Sequence, residues 1–196
     1  MATSGATTTN GGGHDDLTPA RRLATNRLGL WLFIASESFL FAAIISARYY
    51  LLGLDTPGEL NQPLGGAITT VLLVSSLTAF LAERSIAAGD QRAFRRFIWL
   101  TVGLGGIFTA GVALEWREAF VHFPPGTLYG TIFFTATGFH AFHVISGALA
   151  LAAAGYVGRD GRWGPGDHWP VEAVVKYWHF VDVVWVFLFP TLYLLK

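Results

Sequence analysis

The chain contains no cysteine, which excludes disulfides, thiolate zinc sites, iron–sulfur ligation and covalent haem attachment through cysteine. Any metal would have to be held by His or carboxylate. Charge is almost as scarce: 13% of the 196 residues are Asp, Glu, Lys or Arg, about half of what a soluble domain carries. The formal net charge is zero, so neither a nucleic-acid footprint nor a polybasic lipid-binding tail is indicated. The opening stretch, Met1 to Ala20, is rich in Thr, Gly, Ser and Ala. It lacks the basic start and apolar core of a cleavable signal peptide. The first span is therefore expected to be uncleaved, and residues 1–26 to form a disordered cytoplasmic tail.

What the sequence has in abundance is apolar length. Hydrophobic residues make up 53% of the chain and mean hydropathy is +0.47. They gather into stretches of about 20 or more, the length a helix needs to cross the roughly 30 Å hydrocarbon core of a bilayer. Five spans are read, at about 28–52, 64–86, 97–119, 128–157 and 171–195. Turn-forming or polar segments part them: Asp55 to Gly58, Ala87 to Arg96, Pro124-Pro125-Gly126, and Gly158 to Pro170. The expected fold class is all-α, with residues 27–196 forming one bundle of five transmembrane helices.

Orientation follows from the thirteen basic residues. With the N-terminus in the cytoplasm, Arg21, Arg22, Arg27, Arg84, Arg92, Arg95, Arg96, Arg159, Arg162 and Lys176 fall on the inner side. Only Arg48, Arg117 and Lys196 fall outside, a bias of the kind cytoplasmic loops carry, and five spans then leave the C-terminus external. Gly65-Gly66, Gly103, Gly105-Gly106, Gly111, Gly138 and Gly147 crowd spans two to four. They are expected to let helix backbones approach closely. Gly103-Leu104-Gly105-Gly106 lies inside an apolar span with no strand before it, so it is not a nucleotide loop.

Ionisable groups at membrane depth are costly and each needs an account. Glu37 lies ten residues past Arg27, about 15 Å into the first span at 1.5 Å per residue. Two readings stand: a carboxyl that stays protonated and hydrogen-bonded to a neighbouring helix, or a proton relay or sensor of proton uptake. His140 and His143 share one stripe of span four with Ala136 and Gly147. Haem ligation would need a second helix, and His179 lies only about 12 Å deep against about 21 Å for His143. The two are therefore read as hydrogen-bonding interface histidines. In span five, Trp178, Asp182 and Trp185 share a face, where Asp182 could accept from either indole. Arg48, Glu115, Arg117 and Glu118 lie near the outer ends of spans one and three and read as an interfacial ion cluster, open to lipid headgroups.

Span five, Tyr177-Trp178-His179-Phe180-Val181-Asp182-Val183-Val184-Trp185, resembles the hallmark segment of cytochrome c oxidase subunit III. Span four, from Tyr129-Gly130-Thr131 through His140-Ala141-Phe142-His143-Val144 to Gly147, is similar to the family's other signature. Ser36-Glu37 before Phe39-Leu40-Phe41 resembles its Ser-Glu-hydrophobic stretch, whose Glu is carbodiimide-reactive, and Glu115-Trp116 with Glu118-Ala119 resembles a weaker block. The likeness covers about Leu28 to Lys196. It departs from the mitochondrial pattern of seven spans by starting at the equivalent of the third, as in a short bacterial form.

The resemblance implies a subunit with no catalytic residue, metal, haem or copper of its own. Haem and copper would reside in partner subunits. It would contact subunit I directly, meet subunit II and cytochrome c through the complex, bind phospholipid and support proton uptake in a bacterial plasma membrane. Related alternatives are subunit III of a quinol oxidase or an accessory subunit of nitric oxide reductase, in which the span-one Glu tends to be replaced. A free-standing proton transporter would use Glu37, Asp182 and the histidines as a relay, but the sequence shows no inverted repeat and no pair of Gly/Pro-broken spans. A b-type cytochrome is the remaining class, to be told by its absorption spectrum.

Overall fold

The helices begin where the sequence supplies caps. In a computed structural model of the chain, residues 18–54 and 61–194 are described. Residues 1–17, 55–60 and 195–196 lie outside them. The hydroxyl of Thr18 accepts from the backbone N–H of Arg21 and Pro19 follows, which starts α1, Pro19–Leu52. Asn61 caps α2, Gln62–Ala87, through the N–H of Leu64. Asp90 caps α3, Gln91–His122, through the N–H groups of Arg92 and Ala93. Thr127 caps α4, Leu128–Val157, through Gly130. Each cap satisfies a donor that the first turn leaves without a partner. Proline in the first turn of α1, α2 and α5 removes an N–H that had no intrahelical acceptor anyway.

α5 runs Trp169–Phe189 and passes into a π-helical turn, Pro190–Leu194. A 3₁₀ turn, Gly158–Asp160, extends α4. The chain reverses after α1 at Gly53 and between α2 and α3 at Gly89, with φ of 60° and 81°, values that a side chain disfavours. Among the described residues the only bridged backbone outside helices is the isolated pair Gly164 and Asp167.

All five helices are long and apolar enough to cross a membrane, as the spans predicted. Their ends differ because hydropathy marks the length that hydrocarbon covers, whereas caps set where the helix begins. α1 starts at Pro19, so the stretch expected to be tail is helical from there to Asn26. Nothing between Ala20 and Leu28 breaks a helix once Thr18 and Pro19 have started one. α3 likewise begins at Gln91, directly after its Asp90 cap, where the apolar run begins only at Phe97.

α2, α3, α4 and α5 pack in a ring, each against the next and α5 back against α2. α1 lies outside, against α4 and α5, and buries only Phe41 and Arg48. The ring encloses a core that includes Leu72, Ile98, Phe108, Leu151, Trp178, Trp185 and Leu188. Glu172 at the start of α5 meets Arg27 of α1. The side-chain amide of Gln91 donates to the carbonyl of Trp163 in the α4–α5 loop. The start of α1, the α2–α3 hairpin and the α4–α5 loop therefore share one end of the bundle.

The glycines divide by what they face. Gly105 and Gly147 receive the ring of Trp178, and Gly111 receives Ile68. Gly66, Gly103 and Gly106 face open space, so close packing explains part of the set. At Gly111 a Cβ would lie 2.3 Å from Ile68 Cγ2. Gly111→Leu should therefore destabilise the bundle by about 1–3 kcal/mol, whereas Gly103→Leu should cost nothing measurable. Unfolding midpoints in a mixed-detergent titration check this, and equal losses for the two variants would refute the assigned faces.

Candidate functional site

Glu37 and His143, on two different helices, meet. Oε2 of Glu37 lies 3.1 Å from Nε2 of His143. The other ring nitrogen, Nδ1, lies 2.7 Å from the carbonyl oxygen of Phe139. A carbonyl can only accept, so Nδ1 carries a hydrogen. The bond between Nε2 and Oε2 then holds one proton, on the carboxyl or on the ring. In both arrangements the pair has no net charge, which is the form in which hydrocarbon best tolerates two ionisable groups. His143 is buried, while the Glu37 side chain keeps 23% of its surface accessible, so the pair lies at the edge of the bundle. Phe41 packs edge-on to the imidazole at 5.1 Å. One turn further along α4, Ser146 shares a 2.9 Å hydrogen bond with the hydroxyl of Tyr177.

His140, three residues before His143, behaves differently. It is fully buried, and neither ring nitrogen has a hydrogen-bond partner. It stacks on Trp185 with centroids 4.7 Å apart and meets the edge of Phe108 at 5.6 Å. The expectation of two hydrogen-bonding histidines is thus corrected: His140 is packed as an aromatic ring. Phe108 and Trp185 take the space in which a polar partner would stand.

The face of α5 with Trp178, Asp182 and Trp185 is buried, but the expected bonds from the indoles to Asp182 are absent. Trp178 donates to Ser75 at 3.0 Å and Trp185 to Thr69 at 2.8 Å, both on α2. Residues 75 and 69 lie about 1.7 turns apart on α2, close to the roughly two turns between the rings on α5, so they meet both rings and leave the carboxyl between them. Neither oxygen of Asp182 has a hydrogen-bond partner. Ser76 lies beside it and engages Nδ1 of His179 at 2.7 Å instead. His179 thus faces α2 while His143 faces α1.

The four outer charges do not form one cluster. Arg48 is buried, and its guanidinium donates to the carbonyls of Gly53 and Thr191. Glu115 is also buried and accepts from the hydroxyl of Tyr193 at 2.6 Å. Arg117 and Glu118 are exposed, with Glu118 held by the amide of Asn61. The last two line a rim cavity of about 490 Å³ with Leu64, Leu114 and His122. The first two point to a feature that sequence reading missed: the π-helical turn after Pro190 offers its carbonyls to other helices. Arg48 takes that of Thr191, Tyr129 that of Leu192 at 2.8 Å, and Gln62 that of Tyr193 at 3.0 Å. Pro190 with Thr191 and Tyr193 at the close of an otherwise apolar span was the available signal.

Among the described residues no group of three His, Asp or Glu side chains converges as a metal-ligand set. A profile of the cytochrome c oxidase subunit III family matches residues 12–196. The chain is similar to cytochrome c oxidase subunit 3 of Dugong dugon, 37% identical over 179 residues, covering 85% of this chain and 68% of the relative. It is similar also to cytochrome c oxidase subunit 3 of Corynebacterium diphtheriae, 34% identical over 201 residues, covering 94% of this chain and 98% of the relative.

A double-mutant cycle of Glu37→Ala and His143→Ala, read from unfolding in detergent, should return a coupling between about 0.6 and 1.7 kcal/mol. A coupling indistinguishable from zero would mean that the two side chains do not share a proton.

Proposed function

Because the chain belongs to the cytochrome c oxidase subunit III family, we propose that it is the non-redox subunit III of an aerobic respiratory cytochrome c oxidase. In this reading it packs directly against subunit I, binds phospholipid and supports proton uptake during oxygen reduction. Haem and copper belong to the partner subunits, and subunit II and cytochrome c are reached through the complex. No residue of this chain touches the reacting oxygen.

The observation that carries the reading is the Glu37–His143 pair. A group that is to follow proton uptake must hold a proton that can leave it, and must be reachable from outside the bundle. This pair holds one proton in a single hydrogen bond and keeps Glu37 partly open. Lipid binding is favoured by an apolar groove of about 390 Å³ between α1 and α5, lined by Ser38, Phe41, Ala42, Phe180 and Phe187. Its walls suit an acyl chain.

The protein is assigned to a bacterial plasma membrane, with its N-terminus cytoplasmic and its C-terminus external. The ten-to-three division of basic residues supports that orientation. Reporter fusions after Asp90 and Gly161 should read cytoplasmic, and one after Gly126 external; any reversal refutes the topology.

Glu37→Gln keeps size and most hydrogen-bonding capacity but removes the titrating proton. The variant should assemble into the oxidase and support normal electron transfer to oxygen in the first turnovers, then show slower proton uptake or a shortened active life during sustained turnover. Glu37→Ala should in addition loosen the subunit, since it leaves a void and an unmet imidazole. If Glu37→Gln assembled yet abolished oxygen reduction from the first turnover, the residue would be catalytic and the accessory role would fail.

A further inference from the structure

Hydrocarbon supplies no hydrogen bonds, so a polar atom on the outer surface of a transmembrane bundle at mid-depth needs a partner from another molecule. The seam between α2 and α5 presents such an atom. His179 lies ten residues into α5, about 15 Å from its start. Its Nδ1 is engaged by Ser76, and the side chain is only partly buried. Among the described residues Nε2 has no hydrogen-bond partner, and it is not enclosed, unlike the sealed nitrogens of His140. Whichever tautomer the ring adopts, Nε2 remains a donor or an acceptor turned outward.

Other half-buried polar groups share the seam. Towards the inner end, Glu83 of α2 lies close enough to Lys176 and Glu172 of α5 for their charges to act on one another. Towards the outer end, Thr69 of α2 receives Trp185. Leu73 and Phe80 of α2 and Val186 of α5 are about half exposed, and their spacing of three, four and seven residues from Ser76 and His179 puts them on the same faces of the two helices. This is an apolar surface with a hydrogen-bonding site at its centre. The exposed side of α4 differs: Phe142, Ile145 and Leu149 present apolar side chains there. An acyl chain would cover the apolar part of the seam and leave Nε2 unmet.

We propose that the α2–α5 seam is where a transmembrane helix of a larger partner subunit packs, and that this helix presents a hydroxyl, amide or carboxyl side chain to Nε2 of His179. The proposal rests on the reading of the chain as an oxidase subunit and adds to it the contacting face.

The chain has no cysteine, so a single cysteine placed in it is the one thiol this chain offers to label. In the oxidase purified in mild detergent, Leu73→Cys, Phe80→Cys and Val186→Cys, loaded with a thiol-reactive photo-crosslinker, should form adducts with a larger subunit. Phe39→Cys on α1 and Leu149→Cys on α4 should give several-fold less. His179→Phe should reduce the larger subunit recovered with this chain several-fold, whereas His179→Gln, which keeps a polar end, should retain most of it. Adducts from Phe39→Cys or Leu149→Cys alone, or seam cysteines that label only lipid, would overturn the proposal while leaving the subunit reading intact. Failure of any larger subunit to copurify with the unmodified chain would overturn both.

Discussion

Hydrocarbon offers a polar side chain neither donor nor acceptor, and the arrangement of this bundle follows from that one condition. Most polar side chains inside it close a bond between two helices. Trp178 and Trp185 tie α5 to Ser75 and Thr69 of α2, and Thr78 ties α2 to Thr101 of α3. Trp116 joins α3 to Thr137 of α4, and Glu37 joins α1 to His143 of α4. Bonds of this kind average only about 0.6 kcal/mol in membrane proteins. Their larger effect is on register, because sliding either helix by one residue would strand both partners. The glycines work with them: Trp178 reaches Ser75 only because Gly105 and Gly147 leave space for its ring.

The same condition explains the end of the chain. A π-helical turn leaves carbonyls that its own helix does not satisfy as an α-helix would, and Pro190 removes one N–H as well. Every other helix answers. Arg48 of α1, Gln62 of α2 and Tyr129 of α4 each take one carbonyl of the turn, and Glu115 of α3 takes the hydroxyl of Tyr193. Two buried ionisable side chains, Arg48 and Glu115, are thereby employed in holding the end of α5 against its neighbours. This is why Arg48 and Glu115 part company with Arg117 and Glu118, although the four are close in depth. Arg48 is drawn inward by the carbonyls of Gly53 and Thr191 and Glu115 by the hydroxyl of Tyr193, whereas Glu118 is met at the rim by Asn61.

Span number and approximate extent could be read from the sequence because they depend on apolar length alone, and even the cap residues Thr18, Asn61, Asp90 and Thr127 are visible there. The identity of the polar residues at depth was equally plain. Their partners were not. Nothing in the spacing of Trp178, Asp182 and Trp185 shows that α2 supplies Ser75 and Thr69 at matching heights, so a carboxyl between two indoles looked like their natural acceptor. His140 and His143 are chemically the same and three residues apart. Only the rotation of α4 decides that one meets a carboxyl while the other is enclosed by Phe108 and Trp185. Such choices depend on the relative rotation of whole helices, which sequence periodicity constrains to a face but not to a neighbour.

α1 is where this constraint bears most directly on function. It buries so little apolar surface against the ring that its attachments are largely polar, one at each level. Arg27 meets Glu172 near the start of α1, Glu37 meets His143 near its middle, and Arg48 meets Thr191 near its end. The first contact is an exposed one, so it adds little. The middle contact is a single hydrogen bond and depends on one proton. Removing that proton would set the lone pair of Nε2 against a carboxylate and turn attraction into repulsion. The bond that positions α1 is therefore also the one whose existence depends on proton occupancy, so the fit of the helix and the state of the carboxyl cannot vary independently.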